Sequence, residues 1–177
     1  MIVAGKEVTD KYLQGMSPDG FATDQDMFTE FPYRTVTTDY NGCGWLAVYN
    51  VRHALDPGFT DLEAVRSEMD AMHTIRVPGP TLMRVMRAYF RKYFTNWKET
   101  TGRSAAIEAA KMSPVGIFRY HEAHIPHFIT FIRQPDGQYR FLNVDDTPNG
   151  GDFIEPMDDF ASKHFTFGNV IALTIEQ

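Results

Sequence analysis

Apolar residues in this 177-residue chain change their spacing near Pro114, and that change limits the fold more than any other feature. Before it the period is helical. Residues 44–55 place Leu46, Val48, Tyr49, Val51, the aliphatic stem of Arg52 and Leu55 on one stripe, and Asp56-Pro57-Gly58 stops the run. Thr60, with Glu63 three residues on, reads as the capping box of a second helix reaching about Met72. After the break at Pro78-Gly79-Pro80, residues 81–94 carry Leu82, Val85, Met86, Tyr89, Phe90 and Tyr93 on an inner face, and residues 104–112 form a short alanine-rich helix. Beyond Pro114 the period is that of strands. Residues 115–120 read as one strand, and 127–133 and 138–145 flank the hairpin signature Gln134-Pro135-Asp136-Gly137. A last short helix is expected at 156–163 and a closing strand at 169–175. Helices first and antiparallel strands afterwards give an α+β fold, with N-terminal helices packed on a C-terminal antiparallel sheet.

The length suits one domain at 37–177, preceded by an arm at 1–36. Ser17-Pro18-Asp19-Gly20 marks a turn in the arm, and a short helix is expected near residues 6–13. Phe21, Phe28, Phe31 and Tyr33 imply that the arm packs on the domain, with residues 20–36 crossing its surface or the cleft edge in an extended path. The net charge of −6 argues against sequence-independent binding of nucleic acid. Arg84, Arg87, Arg91, Lys92 and Lys98 read as the solvated side of an amphipathic helix. Apolar runs are of strand length, so no membrane span or membrane partner is expected. The first residues lack the basic start and apolar run of a secretory signal, which makes a cytoplasmic location the expectation.

Chemistry concentrates on the single cysteine, Cys43, in Asp39-Tyr40-Asn41-Gly42-Cys43-Gly44-Trp45. A thiol becomes a nucleophile when its anion is stabilised, and unpaired N–H groups in the first turn of a helix do that. A lone cysteine is more often an inert core residue. His127 and Asn143, far downstream on the hairpin, supply what a nucleophile needs: an imidazole to hold the ion pair and an amide to orient it. Gly42 and Gly44 serve either close approach of a carbonyl or tight helix packing. The cluster His121-Glu122-Ala123-His124-Ile125-Pro126-His127 invites a metal reading, but its spacing of three and Pro126 do not match helical zinc motifs, so no metal is expected. His121 and His124 read as a loop at the cleft mouth, His53 and His73 as surface or structural residues, and Trp45 as core.

A Cys-Gly pair opening the first core helix, then helices, a strand, and His-Phe-aliphatic on a hairpin resembles the papain-like fold, and most nearly the C39-like peptidases. The residues that carry the resemblance are 41–47, Pro114-Val115-Gly116-Ile117, His127-Phe128-Ile129-Thr130-Phe131 and Tyr139-Arg140-Phe141-Leu142-Asn143, within about residues 37–177. The resemblance implies a cysteine hydrolase acting on a peptide or amide bond of a peptide or protein, without a cofactor. Cys43 is then the nucleophile, His127 its base, and Asn143 the orienting residue, with Asp145 in reserve. Where such peptidases carry a glutamine six residues before the cysteine, this chain has Thr37, a shorter donor. Asn41 is the other candidate to join the Cys43 N–H in the oxyanion hole. Loss of one such donor costs about 3 kcal/mol of transition-state stabilisation. A non-catalytic peptide-binding module stays open as the alternative, as do acyl transfer and deamidation by the same Cys-His-Asn site.

Overall fold

The structure is a computed structural model that describes residues 2–3, 5–74, 77–122, 125–144 and 151–176. Four short strands, β1 (Ile2–Val3), β2 (Lys6–Glu7), β3 (Pro32–Tyr33) and β4 (Val36–Thr37), and two 3-10 turns at Asp10–Gly15 and Gln25–Met27 make up the start of the chain. Helices α1 (Thr38–Asn41), α2 (Cys43–Leu55), α3 (Leu62–Ala71) and α4 (Met83–Tyr93) follow. Then come β5 (Trp97–Thr101), α5 (Arg103–Lys111), β6 (Val115–Glu122), β7 (Ile125–Arg133), β8 (Tyr139–Leu142), β9 (Asp152–Glu155), α6 (Met157–His164) and β10 (Phe167–Ile175). The fold is α+β: a six-stranded antiparallel sheet in the order β5-β10-β6-β7-β8-β9, with helices on it.

Alternation along the strands divides the sheet into two buried faces. Val115, Ile117, Phe128, Ile132 and Leu173 face one way and join the core of α2, α3 and α4. Phe118, Tyr120, Ile129, Phe131 and Phe141 face the other and meet Ala106, Ala110, Met157 and Phe160 of α5 and α6. One polar contact fixes α2 on β7: Thr130 Oγ1 donates to the Ala47 carbonyl at 3.1 Å. The β7–β8 turn closes as its sequence implies, with Gly137 at φ 85 and its N–H on the Gln134 carbonyl at 3.0 Å.

Several local expectations change. Asp61, not Thr60, caps α3, its side chain accepting from the Ala64 N–H at 2.9 Å. Glu63 is engaged by Arg66 at 2.6 Å, so the capping box does not form. The segment expected to be helical near residues 6–13 is a strand followed by a 3-10 turn. Strand β8 ends at Leu142, ahead of the expected 145, and β5 and β9 had no sequence expectation. Both are edge strands with mixed polarity and no clear period-2 pattern.

Residues 20–36 do not cross the surface. Phe28, Phe31 and Tyr33 are fully buried in the same core as Trp45, with Phe31 stacked on Trp45 at 6.2 Å. Asn50, in the middle of α2, fastens this segment from within: its Oδ1 accepts from the Ala22 N–H at 2.8 Å and its Nδ2 donates to the Ala22 carbonyl at 2.7 Å. Both backbone groups are thereby satisfied away from water. Outside, Arg140 of β8 holds Asp19 at 2.6 Å and Asp152 at 2.6 Å.

Asn50→Ala strands the Ala22 donor and acceptor, and a fall in stability of about 1–3 kcal/mol is expected in chemical denaturation. The Arg140 hydrogen bond pulls the Asp19 carboxyl down from 3.8 to about 2. A carboxyl depressed in the folded state contributes its stability above the unfolded value and loses it as pH falls through the folded one. Melting curves should therefore show the advantage of wild type over Asp19→Asn shrinking between about pH 4 and about pH 2.

Candidate active site

Cys43 opens α2, but the backbone reaches it already helical. Gly42 has φ −82 and ψ −9, its N–H bonds the Thr38 carbonyl at 2.7 Å, and the chain is extended only at Thr37, which precedes α1. The unpaired N–H groups of a helix start thus belong in part to α1, one turn earlier than the sequence implies. The glycines on either side are occupied by packing. A Cβ on Gly42 would lie 2.1 Å from Thr38 Cγ2, and one on Gly44 would lie 2.4 Å from Thr81 Cβ. Of the two uses open to them, helix packing is the one realised.

Thr81 belongs to a buried network beside the cysteine. The Tyr33 hydroxyl lies 3.1 Å from Thr81 Oγ1 and 3.1 Å from His73 Nε2. Burial raises the Tyr33 phenol well above its usual range, and the nearby Cys43 thiol adds to that in the same direction. His73 and His53 are both interior structural residues; the two nitrogens of His53 sit on the Phe59 carbonyl at 2.9 Å and the Asp19 carbonyl at 2.8 Å.

His127 stands near the start of β7. The sheet register pairs it with Tyr120, whose ring is perpendicular to the imidazole at 5.9 Å. Strand β8 stops opposite Thr130, and the chain turns there at Asn143, a non-glycine residue with φ 63. This turn brings the Asn143 backbone carbonyl to 2.6 Å from His127 Nε2. The contact expected from the Asn143 side chain is therefore made by its main chain. The side-chain amide faces the N-terminal segment instead: Oδ1 accepts from the Gln25 N–H at 2.9 Å, and Nδ2 approaches Gln25 Oε1 at 3.4 Å. Gln25 Nε2 then donates to the Asp39 carbonyl at 3.0 Å, in the helical turn leading to Cys43.

These bonds run from His127 to Asp39, in the turn before Cys43, yet His127 and Cys43 lie on different faces of the sheet. Alternation sets His127 with Tyr120 and Ile129 on the α6 side, whereas Cys43 belongs to the core on the α2 side. Cys43, His127 and Asn143 are all nearly inaccessible, at 4%, 4% and 2% exposure. Asn41 spends one amide hydrogen on the Gly79 carbonyl at 2.9 Å, while its Oδ1 is buried without a hydrogen-bond partner among the described residues. Thr37 pairs with Pro32 in a two-residue ladder, and its side chain makes no cap hydrogen bond. Asp145 and His124 lie outside the described residues. Among the described residues, no group of three or more His, Cys, Asp or Glu could hold a metal ion, and no helix is long and apolar enough to cross a membrane.

Gln25 is the site residue that sequence reasoning missed. It sits in Asp24-Gln25-Asp26, far from Cys43 in sequence and without a motif around it. The Asp24 side chain caps the short turn by accepting from the Asp26 N–H at 2.9 Å, which is the only local signal.

No family model matches the chain, and no curated protein sequence matches it. Among solved structures, the peptidase domain of Streptococcus ComA, a bi-functional ABC transporter involved in a quorum sensing pathway, is similar. The TM-score is 0.47 and the identity 14%, over 76% of this chain and 91% of that one.

With Thr81 filling the space at Gly44, Gly44→Ala is expected to lower stability by about 1–3 kcal/mol through overpacking. Thermal unfolding checks it.

Proposed function

We propose that this chain is a cysteine hydrolase that cleaves a peptide or amide bond, with Cys43 as nucleophile and His127 as its proton acceptor. The observation that carries this reading is the bond between His127 Nε2 and the Asn143 carbonyl. A carbonyl oxygen only accepts, so Nε2 bears the hydrogen and Nδ1 is the basic nitrogen of the neutral ring. In the reaction, which requires the imidazole to reach the α2 side of the sheet from the face it occupies here, the Cys43 S–H proton passes to Nδ1 and the thiolate forms a bond to the substrate carbonyl carbon. The Cys43 N–H, helped by the second amide hydrogen of Asn41 or by the Thr37 hydroxyl, meets the oxyanion. As the C–N bond breaks, the imidazolium returns its proton to the leaving amine, and water then splits the thioester with His127 as base. Asn143 holds the ring through its main chain. No cofactor enters these steps, and the substrate is a peptide or protein. Acyl transfer or deamidation differs only in the acceptor or the leaving group.

A second reading, a peptide-binding module without catalysis, is favoured by one observation: Cys43 and His127 belong to opposite faces of the sheet. Alkylation separates the two. Under hydrolysis, Cys43 is labelled rapidly by iodoacetamide near pH 6, and His127→Ala slows labelling by about tenfold or more. In the binding module, labelling is slow and His127→Ala leaves it unchanged.

A further inference from the structure

We infer that Gln25 is a positioning residue for His127, an inference that rests on His127 being the proton acceptor of Cys43. Asn143 holds a left-handed backbone for its carbonyl to face the imidazole, a conformation more accessible to asparagine than to other residues with a side chain. Both ends of its amide are addressed by Gln25, the oxygen by the Gln25 N–H at 2.9 Å and the nitrogen by Gln25 Oε1 at 3.4 Å. The remaining group of Gln25, Nε2, is bonded to the Asp39 carbonyl at 3.0 Å. The backbone N–H and the side chain of one residue outside the helical and strand halves thus together tie the turn that orients His127 to the turn that precedes Cys43.

Fastening the N-terminal segment does not require this bond set. The same segment is held by Asn50 on Ala22 and by Arg140 on Asp19. Gln25 is also only half-buried, so an exposed polar side chain would be tolerated at its place. What its geometry accomplishes is specific to Asn143 and Asp39. Removing the side chain breaks its bonds to Asn143 Nδ2 and the Asp39 carbonyl and leaves the Gln25 N–H on Asn143 Oδ1, so the Asn143 turn should loosen relative to the α1 turn and let the imidazole lose its fixed tautomer, with little change in fold stability.

The test compares wild type with Gln25→Ala and Gln25→Glu, using solvent exchange of the His127 Nε2–H by nuclear magnetic resonance, thermal unfolding, and iodoacetamide labelling of Cys43. The expected result for Gln25→Ala is exchange faster by about tenfold with the melting temperature shifted by only a few degrees. Glu keeps an acceptor for Asn143 Nδ2 and loses the donor to Asp39, so Gln25→Glu should fall between wild type and Gln25→Ala. Unchanged exchange in Gln25→Ala overturns the positioning role. Failure of the hydrolase reading is recognised separately, by labelling of Cys43 that is indifferent to His127→Ala.

Discussion

The bond from His127 Nε2 to the Asn143 carbonyl decides which nitrogen of the ring can take a proton, and the arrangement around it serves to keep that bond in place. A side-chain amide can flip and offer either a donor or an acceptor; a backbone carbonyl offers only an acceptor. Using the main chain of Asn143 therefore fixes the tautomer more firmly than the expected side-chain contact. It demands a left-handed residue at the end of β8, and asparagine is among the few non-glycine types that adopt it readily.

That requirement explains why the N-terminal segment enters the domain. Its aromatics complete the core around Trp45, and its polar groups reach inward to Asn50 of α2 and Asn143 beyond β8. Two buried asparagines, Asn50 and Asn143, satisfy its backbone at Ala22 and Gln25. The cysteine side is built with equal economy of space. Thr38 and Thr81 fill the volumes left by Gly42 and Gly44.

The helices and the central strands were legible in the sequence because each carries one dominant period. The stripe of α2, the inner face of α4 and the Gln134–Gly137 turn specify themselves locally. What was not legible depends on long-range partners. The cap of α3 moves to Asp61 because Arg66 claims Glu63. The burial of Phe28 and Phe31 follows from a tertiary vacancy beside Trp45, which no window of sequence reports. That His127 and Asn143 meet was expected from residue type and order, yet the atom of Asn143 that meets the imidazole was not, since it is set by one backbone angle. Gln25 had no signal beyond the Asp24 cap of its turn, because its partners are 14 and 118 residues away.

The central claim is that Cys43 and His127 act together in acyl chemistry, and acylation measured directly tests it best. A chromogenic acyl ester, followed by absorbance and intact mass, reports formation and decay of an acyl group on the protein. The account predicts an adduct on Cys43 that forms and is then hydrolysed, and that neither Cys43→Ala nor His127→Ala acquires. Absence of any adduct on wild type, or an adduct on Cys43 that forms equally fast in His127→Ala, would contradict it.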